Sequence, residues 1–207
     1  NQKPKRIQTN DLYRTPNMER LARSGRLFTQ AYAYSVCSPT RISLMTGQSA
    51  LRHGVTTWTH PKSSNVDTGR VQTKTVKSPS DWTIKGLDLS LPLLPRILQD
   101  SGYATLFAGK AHFGPDDTPA GNPLNLGFDV NIGGYGGGGP GSYHGKYKYS
   151  AAWRSKNNHQ WDVPGLKKYH DSNTFLSEAI SLEMKKAITK VCENKKPFYA
   201  YMSHYAV

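Results

Sequence analysis

The stretch Gly102-Tyr103-Ala104-Thr105-Leu106-Phe107-Ala108-Gly109-Lys110-Ala111-His112, GYATLFAGKAH in one-letter code, carries the reading of the fold. Its core, Tyr103 to Ala108, is a short apolar run of the kind that makes a buried strand. Ahead of it, Ser90 followed by LPLLPRILQDSG reads as a capped helix ending at Gly102. Behind it, Lys110 and His112 lie two apart at the strand end, so both side chains point the same way. A helix feeding a buried strand, with a cation and a proton-transfer group beyond it, predicts an α/β unit whose chemistry collects at the strand end.

The same grammar recurs outward along the chain. Thr15, Pro16 and the apolar spacing of Met18, Leu21 and Ala22 predict a helix that Gly25 ends. Leu27 to Tyr34 alternates imperfectly and reads as a short strand or an extended approach. Pro39 to Thr46 reads as a helix opened by Pro39 and closed by Gly47. From about His60 to Gly86 the chain turns polar, and Asn131 to Ser150 is rich in glycine and tyrosine; both are expected to be long loops or insertions. Phe175, Ala179, Leu182, Ile188 and Val191 mark a strong amphipathic helix after the cap-rich DSNT. Pro197 to Ser203, PFYAYMS, is another apolar strand. The order predicts an α/β architecture with a central mixed sheet flanked by helices.

At 207 residues, 36% hydrophobic and 11% aromatic, the chain suits one sizeable domain or part of a larger one, and its composition argues against wholesale disorder. No apolar run approaches the roughly 18–20 residues of a membrane span. The two cysteines, Cys37 and Cys192, stand far apart with no CxxC or Cys/His pairing. That suggests neither a zinc site nor a disulfide framework, and leaves one remote disulfide open. The 27 Lys and Arg against 14 Asp and Glu give +13. Such a balance attracts polyanions: nucleic acid, anionic lipid, or sulfated and phosphorylated sugars. Nothing resembles RNP aromatics or a helix-turn-helix, which sets nucleic acid aside. The run Gly133 to Gly141 is no phosphate loop, because no Gly-Lys-Ser/Thr follows to open a helix.

Ser35-Val36-Cys37-Ser38-Pro39-Thr40-Arg41 is the second stretch with chemical content. Cys37 stands immediately before a predicted helix N-terminus, where free N–H groups and the helix dipole favour an anion, whether thiolate or bound oxyanion. Arg41, four residues on, shares its helix face and brings a permanent charge with planar donors suited to oxyanions. Added to Lys110 and His112, these groups suit phosphoryl or sulfuryl chemistry. On spacing alone the blander alternatives stay open: a buried thiol, a solvated strand end, a surface arginine.

Both stretches resemble signatures of the sulfatase family. Cys37-Ser38-Pro39-Thr40-Arg41, with Leu44-Met45-Thr46-Gly47 after it, is similar to Cys-x-Pro-x-Arg, with Thr40 where serine is usual. Gly102 to His112 is similar throughout to Gly-Tyr-x-Thr-x-x-x-Gly-Lys-x-His. Thr15-Pro16-Asn17, Gly25, Arg52-His53-Gly54-Val55 and Gly127-Phe128-Asp129 extend the resemblance over most of the chain, with little of it between His60 and Gly86. It implies a type I, formylglycine-dependent, arylsulfatase-like member of the alkaline phosphatase superfamily, with an alkaline-phosphatase-like fold. In such a sulfuric ester hydrolase a formylglycine-generating enzyme oxidises the motif cysteine. The hydrate of that aldehyde, beside a calcium ion, attacks sulfur, expels the alcohol and then collapses to release sulfate. The resemblance implies Cys37 as nucleophile and metal ligand, and Arg41 as support of the hydrate and the metal site. It implies Lys110 as the bridge from sulfate to nucleophile, and His112 as hydrogen-bond partner of the hydrate and base in its collapse. A sulfated carbohydrate is the expected substrate, in a periplasmic, secreted or lysosome-like compartment.

The family's adjacent calcium-binding aspartates, its downstream Asp-Asn type ligands, a further lysine and a further histidine are expected outside this chain. That histidine is expected one residue beyond Val207, so His204 is not read as it, and Asp11, Asp116 and Asp117 occupy the wrong places to replace the aspartates. The chain is therefore expected to be the N-terminal part of the catalytic domain, a poor calcium binder by itself and inactive without the remainder. Tyr143, His144 and Lys146 are candidate sugar contacts, and Trp153 and Trp161 candidate stacking platforms. The basic stretch of Lys62, Arg70, Lys74, Lys77 and Lys85 reads as a solvated loop face or a meeting place for a sulfated polymer. His53 is expected to satisfy local structure. Two competing functions stand beside the sulfatase: a phosphomonoester or phosphonate hydrolase of the same superfamily, and a non-catalytic polyanion-binding homologue.

Overall fold

The computed structural model describes residues 12–59 and 86–206. The basic start, Asp11 and the polar stretch from His60 to Lys85 lie outside the described residues. The chain divides into two units, Asn1–Ala33 and Tyr34–Val207.

In the first unit, helix α1 spans Pro16–Ser24 and opens with proline in its first turn, where a missing N–H costs nothing. Thr15 holds the N-cap position, but its hydroxyl makes no capping bond. It faces Glu19 Oε1 at 3.5 Å instead, while its carbonyl accepts the Glu19 N–H. The following stretch forms no strand; Leu27 and Phe28 are both exposed, so the imperfect alternation has no sheet face to serve.

The second unit begins with helix α2, Cys37–Thr46. It starts two residues ahead of the predicted Pro39, because proline is tolerated throughout the first turn, whose N–H groups are unpaired anyway. Gly47 closes it in the left-handed region at φ 66°, its N–H donating to the Ser43 carbonyl. A single turn, α3, Ala50–His53, follows and is closed in the same way by Gly54. Helix α4, Leu94–Asp100, starts later than Ser90. Leu91 precedes Pro92, and a residue before proline is pushed out of the helical region.

Three strands make the described sheet: β1, Ala104–Gly109; β2, Val130–Ile132; and β3, Phe198–Ser203. Their order is β2-β1-β3, and both pairings are parallel. The described sheet is thus purely parallel where a mixed one was expected. The register sets Leu106 between Val130 and Ala200, and Gly109 against Ser203. Helix α5, Leu176–Glu193, fills the connection before β3.

Alternation along β1 divides the core. Leu106 and Ala108 join Leu176, Ile180 and Met184 of α5 in one cluster. Phe107 points the other way, into Ile42 and Met45 of α2 with Phe113 and Phe128. Every residue of β1 is buried, as a central parallel strand covered on both faces should be. Among the described residues no helix is long and apolar enough to cross a membrane.

Candidate active site

Cys37, half-buried, is the first residue of α2. Its Sγ lies 3.0 Å from Nδ1 of His112. The other ring nitrogen, Nε2, lies 2.8 Å from the carbonyl oxygen of Thr59. A carbonyl can only accept, so the neutral ring carries its proton on Nε2 and turns the Nδ1 lone pair toward position 37. Strand alternation does not deliver His112 there. The strand ends at Gly109, and His112 sits in the left-handed region at φ 55°, unusual for a residue with a side chain and characteristic of functional turns.

Two hydrogen-bonded junctions fix this meeting. In the first, Ser38 Oγ donates to the His112 carbonyl at 2.9 Å and accepts the Thr59 N–H at 3.1 Å. Ser38 and Thr59 are both buried, so the ring is gripped at its backbone and at Nε2 by the same pair of segments. In the second, the Arg41 guanidinium donates to the Lys110 carbonyl at 2.5 Å and to Ser203 Oγ at 3.3 Å. Ser203 Oγ donates to that same carbonyl at 2.7 Å, and its own carbonyl accepts the Lys110 N–H at 2.7 Å. The Lys110 ammonium stands near enough to Cys37 for the two groups to interact electrostatically. Burial pulls its pKa below the ordinary lysine value; Cys37 pulls the other way, and Arg41 adds to the lowering.

Glycines let the backbones come this close. Gly109, at φ 96°, has the Ser203 carbonyl oxygen 1.8 Å from where a Cβ would stand. Only glycine allows the end of β1 to meet the end of β3 here, which is what brings Lys110 to Ser203. The glycine-rich run after β2 then folds back over His112. The Tyr135 carbonyl accepts the His112 N–H at 3.2 Å, and Asp116 Oδ1 accepts the Gly136 N–H at 2.6 Å. A Cβ on Gly138 would stand 2.6 Å from Cε1 of the His112 ring, whereas one on Gly139 would meet nothing within 4 Å. The run is therefore a floor beneath the imidazole.

A family model of sulfatases matches residues 4–206. The chain belongs to the sulfatase family. It is 32% identical over 152 residues to N-acetylgalactosamine-6-sulfatase of Homo sapiens, covering 73% of this chain and 26% of that protein. The crystal structure of Ps i-CgsB superposes with a TM-score of 0.66 at 27% identity, over 93% of this chain and 40% of that one. The same protein in complex with k-i-k-neocarrahexaose gives 0.64. The chain thus spans about a quarter of the length of the curated relative. These neighbours bear out the α/β, alkaline-phosphatase-like fold that the resemblance implied.

The structure brings Cys37, Arg41, Lys110 and His112 of this sulfatase chain together. Tyr143 and His144 are committed elsewhere: Tyr143 stacks on Phe175 at 5.6 Å and donates to the Tyr205 carbonyl, and the His144 ring meets Phe175 edge-on. Lys146 lies over the Tyr147 ring and lines a separate cavity. His53 accepts the Val55 N–H at Nδ1 and pairs with Ser43 Oγ through Nε2, joining α2 to the turn after α3. Asp116 serves the glycine run, its carboxyl pushed up by burial. Ser38, Thr59, Ser203 and Gly138 were not singled out by the sequence, where nothing distinguishes them from ordinary polar or turn residues. Among the described residues no three His, Cys, Asp or Glu side chains come together as a metal site. The groups around Cys37 are two cations, Lys110 and Arg41, and the His112 imidazole, whereas calcium takes six to eight oxygen ligands. The described residues do not make a calcium site.

Proposed function

We propose that the protein to which this chain belongs hydrolyses sulfate esters of carbohydrates, with position 37 as nucleophile after oxidation of the cysteine to formylglycine. The carrying observation is the convergence of Cys37 and His112, 75 residues apart, with Lys110 and Arg41 beside them. The sugar as alcohol is supported by the names of two relatives, an N-acetylgalactosamine-6-sulfatase and a structure holding k-i-k-neocarrahexaose.

The geometry suits a divided task. A sulfate ester is already an anion, so the barrier falls most where fixed positive charge meets the charge that builds in the transition state. Lys110 supplies that charge next to position 37. Arg41 supplies more, and its bonds to the Lys110 carbonyl and Ser203 hold it in place at no cost during the reaction. One hydroxyl of the formylglycine hydrate forms the new S–O bond as the ester S–O bond breaks, and the proton it gives up ends on the departing alkoxide, which leaves as the alcohol. The second hydroxyl then loses its proton to His112 Nδ1, the carbonyl re-forms, and sulfate departs with the bonding pair. Thr59 steadies the resulting imidazolium through Nε2.

The test uses the full-length protein co-expressed with a formylglycine-generating enzyme. The peptide Leu27–Arg41 should carry an aldehyde or its hydrate at Cys37 by mass spectrometry, and sulfate should be released from an aryl sulfate far faster than phosphate from the matching aryl phosphate. Phosphate release as the faster reaction would assign the phosphomonoester hydrolase instead. Modified protein that binds sulfated polymers yet turns over neither ester would assign the polyanion-binding homologue.

A further inference from the structure

A second cavity, of about 530 Å³, opens in the segment after the glycine-rich run, lined from Lys146 to His170. Its size falls within the roughly 300–1,000 Å³ of small-molecule sites. One wall is aromatic: Tyr147 stacks on Trp153 with ring centroids 4.7 Å apart, and the indole is left 54% exposed. The rim is cationic, with Lys146, Lys148 and Lys167. Lys148 pairs with Asp171 at 3.7 Å, and among the described residues neither Lys146 nor Lys167 has a carboxylate partner. Two polar atoms on the lining are buried without a hydrogen-bond partner, Oδ1 of Asp162 and Nε2 of His170. The other oxygen of Asp162 is taken by His159. Burial draws the His170 pKa down, so near neutral pH this ring offers a hydrogen bond rather than a charge.

A flat half-exposed aromatic face, two lysines without a carboxylate partner and orphaned hydrogen-bonding atoms in one cavity match one kind of ligand: a ring that is apolar on its face, hydroxylated at its edge and anionic at one substituent. The cavity is tied to the catalytic cluster by the chain itself. The Gly141 carbonyl accepts the Trp153 indole N–H at 3.3 Å, and Gly141 is three residues after Gly138, which lies against His112. Three residues span at most about 10 Å. We propose that this cavity binds an anionic sugar residue, sulfated or carboxylated, belonging to the same glycan chain as the sugar whose sulfate is cleaved. The inference rests on the reading of this protein as a carbohydrate sulfatase, and it makes the substrate an oligosaccharide or polymer rather than a free sugar sulfate.

The test compares kcat/KM for a panel of sulfated hexasaccharides, from carrageenan, chondroitin sulfate and heparan sulfate, with kcat/KM for 4-methylumbelliferyl sulfate, in the matured full-length enzyme. For the hexasaccharide the wild type prefers, Trp153→Ala and Lys167→Ala should each lower the hexasaccharide-to-aryl ratio about tenfold through KM, and Lys185→Ala, on the solvated face of α5, should not. An unchanged ratio in both cavity variants overturns the proposal. So does binding of inorganic sulfate that quenches tryptophan fluorescence as tightly as the hexasaccharide does, since that reduces the site to a small-anion pocket. Failure of the wild type to turn over any of these esters instead overturns the sulfatase reading. Titration of the Cys37→Ser protein with the panel still decides the cavity in that case: a hexasaccharide whose binding Trp153→Ala abolishes supports it, and no binding overturns it.

Discussion

At the scale of single residues, the cluster is a problem of backbone clearance as much as of side-chain chemistry. His112 can face position 37 only because its ring lies on a glycine floor. Gly138→Ala is expected to push the imidazole off that position and lower kcat at least tenfold, with KM nearly unchanged, because the floor touches the ring proposed as the base. Gly139→Ala, one residue on and in open space, should leave both constants within about twofold. Steady-state kinetics of the matured full-length protein on an aryl sulfate would separate the two. The meeting of Cys37, Arg41, Lys110 and His112 was legible because two unbroken stretches carry them. The residues that hold them, Ser38, Thr59 and Ser203, were not. A serine hydroxyl announces nothing until a carbonyl 74 residues away comes within 2.9 Å of it.

At the scale of elements, long patterns declared themselves and short ones did not. The helix predicted around Phe175 to Val191 runs from Leu176 to Glu193, and the predicted strands over Tyr103–Ala108 and Pro197–Ser203 form at nearly those limits. Strand β2, three residues long at the edge of a glycine-rich run, has too few positions to show a period and was read as the start of a loop. The cap-rich DSNT does not cap α5. Ser172 instead donates to the Tyr169 carbonyl and accepts the Thr174 N–H, holding the turn before the helix. What anchors α5 to that turn is Glu183, which accepts from Lys168 at 2.5 Å, Tyr169 at 2.7 Å and Lys186 at 3.1 Å. Burial alone would raise its carboxyl, but the three donors outweigh it and bring the pKa to about 2. A depressed carboxylate pKa stabilises the fold above the unfolded value of about 4.3 and loses that contribution as pH falls through it. Glu183→Gln should therefore lower the melting temperature at pH 7, and the gap to wild type should close between pH 4.5 and about 2 in melts followed by circular dichroism.

At the scale of the whole second unit, β1 belongs to both halves of the core at once. Phe107 meets Phe113 and Phe128 edge-on at 5.8 and 5.2 Å and stacks on Tyr201 at 5.5 Å, while its neighbours Leu106 and Ala108 face α5. Phe107→Ala is expected to cost about 3–5 kcal/mol. Because one strand serves both clusters, the loss should appear as a single lowered transition in urea, the same by tryptophan fluorescence and by circular dichroism. Two separate transitions would show that the clusters melt apart. The junctions behind position 37 span long stretches of this unit: Arg41 holds the Lys110 carbonyl 69 residues later and Ser203 162 residues later. Translation proceeds at about 5–20 residues per second, so the arginine waits on the order of ten to thirty seconds for its last partner to leave the ribosome. Throughout that interval position 37 lies on an unlocked segment, and the clock of synthesis sets how long it remains within reach of other molecules.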